Sequence, residues 1–230
     1  EFILDIDRIA HWERFVPYKE NHDFFVNYNH IIKTTKQIDS LSKRIRCWSL
    51  SQTLNNIIKN KPNYHVAECG SYTGCSAYLI AKILEKYNFS KKFFIFDSFE
   101  GLSKFSKQDL LGLDKHPAKE GDFRTSENKF KNNVGNFEFM DIKKGWIPER
   151  FNEVENEKFS FINIDVDIYK PTKESLDFFY PRLINGGCIH LDDYNFNEWP
   201  GARIAIKEFE KKNKISFSYE IPLGGYFLIK

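Results

Sequence analysis

The chain has 230 residues, 41% of them apolar, and its basic and acidic side chains nearly cancel to a net charge of +2. That length suits one α/β domain with a full core of its own, and the 23 phenylalanines point to an aromatic-rich interior. Lys and Arg are interspersed with Asp and Glu, which excludes a nucleic-acid-binding stripe, and no apolar run is long enough to span a membrane.

In chain order, residues 1–60 read as a helical extension or lid. Apolar residues recur there at steps of three and four: Trp12 and Phe15, then Phe24, Phe25, Tyr28, Ile31 and Ile32, then Leu50, Leu54, Ile57 and Ile58. Lys61-Pro62-Asn63 ends that region, and residues 61–230 read as the main α/β domain. A buried strand is predicted over 65–69, a helix over 77–87, and strands over 92–96 and 137–141. A strand over 159–164 follows, then a helix from Pro171-Thr172 that Asn185-Gly186-Gly187 should stop. A strand over 188–191, a helix over 203–212 and a closing hairpin over 216–229 complete the pattern. Strands alternating with helices predict a doubly wound, mostly parallel Rossmann-like sheet with an antiparallel hairpin at its end. Residues 103–125 fit neither period, and a connection of that length is expected to be a lid or partly disordered.

Cys47, Cys69, Cys75 and Cys188 form no CxxC pair, and the first seven residues carry acids where a secretory leader would be basic. A reducing, cytoplasmic setting is expected. The lack of an initial methionine suggests a piece of a longer polypeptide.

Glu68-Cys-Gly70-Ser-Tyr72-Thr-Gly74 lies between a predicted strand and a predicted helix. Its glycines permit a sharp turn and a close-lying ligand, but the spacing is not that of a pyrophosphate cradle. An acid two residues before the first glycine suits a cationic ligand, and S-adenosylmethionine carries a sulfonium and an amino group without phosphate. Asp97 closes the next strand, where an acid can accept hydrogen bonds from ribose hydroxyls; otherwise it caps a helix. Trp146, beside Gly145, offers a face for adenine or a place in the core.

Two later strands end in paired acids, Asp165 with Asp167 and Asp192 with Asp193. In a parallel sheet these ends meet at the ligand-binding edge, and converging carboxylates call for a hard divalent cation. His190 falls on the same side as Asp192 if the strand stays regular, which makes it a candidate base as well as a candidate packed residue.

Val66-Ala-Glu-Cys-Gly-Ser-Tyr-Thr-Gly, Phe96-Asp-Ser-Phe-Glu-Gly-Leu, Lys144-Gly-Trp, Ile164-Asp-Val-Asp-Ile-Tyr-Lys-Pro-Thr, Leu191-Asp-Asp-Tyr and Pro200-Gly-Ala occur in this order. Together they resemble the macrocin O-methyltransferase family and, more distantly, the catechol O-methyltransferases. The resemblance implies a class I, S-adenosylmethionine- and magnesium-dependent enzyme that methylates a sugar hydroxyl of a natural product. It implies cofactor contacts from Glu68, Gly70, Tyr72, Ser76, Asp97, Ser98, Gly145, Trp146 and Asp165, and metal ligation by Asp165, Asp192 and Asp193. Asp165, Asp192 and His190 are the candidate catalytic groups, with Asp167 in reserve. A small-molecule hydroxyl acceptor is the expected partner, with neither nucleic acid nor membrane; a homo-oligomer is compatible. The chain departs from the family at Tyr72-Thr73, where Trp-Arg is usual, and at Val166, where a glycine is usual. Ile168 stands where the catechol enzymes carry a lysine base. A phenolic acceptor and a silent cofactor-binding module are the alternative readings.

Overall fold

The computed structural model describes residues 21–194 and 196–230, so Trp12 and Phe15 lie outside the described residues. The first described helix, α1 (His22–Thr35), starts where the Asn21 side chain accepts the Phe24 amide, and α2 (Leu41–Asn60) starts at a Ser40 cap. Strand β1 (His65–Cys69) then opens a run of alternating elements. These are α3 (Cys75–Lys86), β2 (Phe93–Asp97), α4 (Glu127–Val134), β3 (Met140–Lys144), β4 (Phe159–Ile164), α5 (Tyr169–Arg182), β5 (Leu183–Leu191) and α6 (Pro200–Lys212), followed by β6 (Phe217–Glu220) and β7 (Tyr226–Ile229).

The seven strands form one sheet in the order β3-β2-β1-β4-β5-β7-β6. The first five run parallel, and β7 pairs antiparallel with both β5 and β6. The chain winds outward from β1 to β3 and restarts at β4 on β1's other side, so a topological switch point lies between β1 and β4. Every residue of β4 is buried, as expected of a central strand covered on both faces. One face carries Phe96, Phe159, Ile162 and Ile189 against Leu176 and Phe179 of α5 and Phe209 of α6. The other carries Val66, Phe93, Phe161 and Phe227 against Leu54 and Ile58 of α2 and Ile80 of α3. At roughly 1.5–3 kcal/mol for each large apolar side chain buried, these two layers dominate the folding free energy.

Helix α4 has no counterpart in the sequence expectation, and two expected elements are placed differently. The third strand lies three residues later than predicted, because Phe137 and Phe139 stack on one another in a turn closed by the Met140 amide on the Phe137 carbonyl. Strand β3 is instead a charged edge, where Lys143 pairs with Asp141 and Glu153. Gly186 and Gly187 do not end a helix. α5 already ends at Arg182, and the glycines lie within β5, where the pairing with β4 shifts register between Phe159 and Phe161.

The segment 103–125 is anchored by a short 3-10 turn, Lys107–Leu110. Asp109, 1% exposed, accepts the Ser106 amide on one oxygen and the Tyr169 amide at the start of α5 on the other. Its carboxylate also occupies the space that a side chain at Gly201, in the first turn of α6, would need. One acid thus fastens the loop to two helix starts, where the helix dipoles favour negative charge.

Candidate active site

At the carboxyl edge of the sheet, over the switch point, lies a cavity of about 390 Å³. Its lining includes Gly70, Tyr72, Ser76, Asp97, Ser98, Gly145, Trp146, Asp165, Asp192 and Asp193 from the sequence expectation. Glu68 and His190 are not in it.

The half built on β1 and β2 is held by backbone. Gly70 has φ +79°, and a Cβ there would overlap the carbonyl oxygen of Asp165, so both the conformation and the contact require glycine. Asp97 straps this turn down: one oxygen accepts the amides of Ser71 (2.7 Å) and Tyr72 (3.0 Å), the other the amide of Phe99 (2.6 Å). Asp97 therefore shapes the turn while it lines the cavity. Ser98 accepts the Glu100 amide, and no helix follows it that would make either residue a helix cap. The Gly145 amide bonds to the Asp97 carbonyl, which sets Trp146 on the cavity wall.

Glu68 lies behind the turn. Fully buried, it accepts the Asn163 side-chain amide at 2.9 Å, while its second oxygen has no partner. Burial pushes its carboxyl up to about 8. His190 is also fully buried, with Nδ1 2.6 Å from the Asn163 Oδ1, and burial lowers its imidazole to about 4. Glu68, Asn163 and His190 sit in register on β1, β4 and β5 and form a polar row inside the sheet. The alternation that would set His190 beside Asp192 breaks because β5 ends at Leu191.

The half built on β4 and β5 is held by side chains under electrostatic stress. Carboxylate oxygens of Asp165, Asp167 and Asp193 lie within 4.8 Å of one another. Burial first and neighbouring acids second push all three carboxyls well above the usual range. Asp167 has φ +61°, and the Ile168 amide closes a tight turn on the Val166 carbonyl at 2.6 Å. Such a γ-turn is rare for a non-glycine residue and strained. The Asp167 amide in turn donates to Asp193 at 2.9 Å. Asp192, expected in the convergent set, instead directs its carboxylate to Arg46, with Oδ1 3.3 Å from Nε. Three hard oxygen donors without a His or Cys in the group suit Mg2+ in kind and charge.

The sequence reading did not single out Arg46, Lys43, Phe123, Phe196 or Trp199 on the wall. Tyr72 packs edge-on to Phe123, and Phe123 leans toward Trp199, which makes an aromatic rim. Lys43 and Arg46 stand one turn apart on α2, a spacing that marks a shared face without saying what that face meets.

A macrocin O-methyltransferase (TylF) family model matches residues 37–221, most of the chain and a span that contains every acid named above. The chain belongs to this family. It is accordingly an S-adenosylmethionine-dependent O-methyltransferase. It is similar to demethyldecarbamoylnovobiocin O-methyltransferase of Streptomyces niveus, 23% identical over 178 residues, covering 74% of this chain and 67% of the relative. It is also similar to a Streptomyces olivaceus 4'-O-methyltransferase of 8-demethyl-8-(2,3-dimethoxy-alpha-L-rhamnosyl)-tetracenomycin-C, 23% identical over 165 residues, with coverage of 66% and 59%. Among solved structures, the O-methyltransferase NovP shares the fold with a TM-score of 0.68 at 21% identity, covering 81% of this chain and 80% of NovP. The calicheamicin methyltransferase CalS11 does so with a TM-score of 0.66 at 17% identity, covering 91% and 93%. No described helix is long and apolar enough to cross a membrane.

Proposed function

We propose that this methyltransferase, acting in the cytoplasm, methylates a hydroxyl on the sugar of a glycoconjugate or natural product, with a magnesium ion at the acid cluster. The observation that carries this reading is the contact between the halves: Gly70 of the cofactor turn rests on the Asp165 carbonyl, so both open into one cavity. The two curated relatives are named for O-methyl transfer to natural products, in one case to a sugar position.

In this reading Gly70, Tyr72, Ser76, Asp97, Ser98, Gly145 and Trp146 hold S-adenosylmethionine, with its sulfonium toward Asp165. The cofactor supplies an electrophilic methyl group, and the protein has to align an oxygen behind it. Asp165, Asp193 and Asp192 are the proposed metal ligands. When bound, the ion would anchor neighbouring acceptor oxygens and make a hydroxyl more acidic. Asp167, fixed by its γ-turn beside these ligands, then accepts the hydroxyl proton, a role that buried His190 has no path to fill. Gln37, Lys43 and Arg46, from the extension proposed for residues 1–60, wall the acceptor side, and Phe123 and Trp199 offer apolar faces to a sugar ring.

The test is methyl transfer from labelled S-adenosylmethionine to vicinal-diol sugars, with catechol as a phenolic control because the same aromatic walls would stack on a planar ring. Expected are sugar methylation, its loss in chelator, and its recovery with Mg2+. Full activity in chelator, or in Asp165→Asn, refutes metal assistance; turnover of catechol alone replaces the sugar reading with the phenolic one.

A further inference from the structure

Arg46 reaches the acid cluster from the far layer of the fold. Its side chain is only 12% exposed, and the guanidinium carbon lies 4.6 Å above the Phe196 ring. The stem runs past two glycines: a Cβ at Gly224 would stand 3.3 Å from Arg46 Cδ, and one at Gly225 3.7 Å from Cγ. This is a fitted slot. The pairing inside it is loose, because the 3.3 Å approach of Nε to Asp192 lacks hydrogen-bond geometry and leaves Nε without a hydrogen-bond partner. Meanwhile Asp165, Asp167 and Asp193 converge without Asp192.

Building on the metal-assisted reading above, we infer that Arg46 is the resident counter-cation of Asp192. It holds that carboxylate apart from the other three until a divalent ion draws it in, so Arg46 acts as a positioning residue that sets how tightly the ion binds. The charges agree with this role. Four carboxylates are balanced by one guanidinium, one divalent ion and one sulfonium, so the loaded site is neutral, and the guanidinium is the only one of these cations that the chain itself supplies to the cluster among the described residues. Ion entry is thereby coupled to α2, since Asp192 has to leave a partner on that helix.

The experiment is a Mn2+ titration followed by electron paramagnetic resonance of the free ion, on wild type, Arg46→Met and Arg46→Lys, with thermal melts of each with and without Mn2+. Loss of a competing charge a few ångströms away should tighten Mn2+ binding in Arg46→Met at least about fivefold. The same variant should melt lower than wild type without the ion and gain more in Tm when Mn2+ is added. Arg46→Lys keeps the charge and should stay within about twofold of wild type. Equal or weaker Mn2+ binding in a folded Arg46→Met overturns the inference, as does an unfolded Arg46→Met that Mn2+ does not rescue. Wild type that binds S-adenosylhomocysteine but no Mn2+ overturns the metal-assisted reading itself.

Discussion

The two halves of the cavity are built on opposite principles. Around Gly70 and Asp97 the backbone does the positioning: amides of Ser71, Tyr72 and Phe99 converge on a single carboxylate and fix the turn. Around Asp165, Asp167 and Asp193 the carboxylates outnumber the cations available, one residue is held in a strained turn, and the single guanidinium beside them serves Asp192. A preorganised donor set stabilises the fold as well as the ligand, whereas an under-compensated acid cluster gives up stability for the site it makes. The half proposed for the cofactor should therefore respond to mutation mainly in folding, and the half proposed for the acceptor mainly in binding.

The largest separation of the two is expected from Gly70→Ala. A side chain at positive φ against the Asp165 carbonyl should cost roughly 3 kcal/mol or more, read as a lowered denaturant midpoint. Asp97→Ala should follow, losing about 2–3 kcal/mol with weaker S-adenosylhomocysteine binding, because it orphans the amides of the turn. Asp167→Asn should do the reverse: relief of a buried like charge leaves stability equal or raised by about 1 kcal/mol, while methyl transfer falls about a hundredfold. Unchanged transfer in that variant would remove Asp167 from the proton step.

A pH-dependent effect concerns Glu68. Its folded value near 8 lies above the 4.5 of a free glutamate, so the native protein keeps a proton that the unfolded chain has released. The stability tied to that protonated form is whole below pH 4.5, declines as the pH rises, and is gone above about 8. Melting Glu68→Gln across pH 5 to about 8 should show a flatter decline than wild type; identical slopes would mean that the buried carboxyl does not hold its proton.

The sequence carried these halves unequally. Strands β1 and β4 lie where their apolar runs place them, and the glycine turn follows because a single local segment encodes it. The convergence of strand-end acids also followed, from the rule that parallel strands present their carboxyl ends together. Which acids meet did not follow. Nothing in local propensity says that Asp167 adopts φ +61°, and nothing near Asp192 announces a partner on α2. His190 fell to the same limit, because alternation places it correctly within β5 but says nothing past Leu191, where the strand stops. Phe137 and Phe139 read as a strand because aromatic residues at alternate positions satisfy that period equally well when stacked in a turn.

The clasp at Asp109 also bears on what length changes this chain can tolerate. Because one carboxylate ties the loop to the first turns of α5 and α6, the residues between Leu111 and His116 can lengthen or shorten without pulling on the strands that bear the acids. Leu102, Ser103 and Phe123, which face the cavity, stand on either side of that excursion. Changes of length in that excursion would thus reach the cavity only through Leu102, Ser103 and Phe123, while the strands that carry the acids stay as they are.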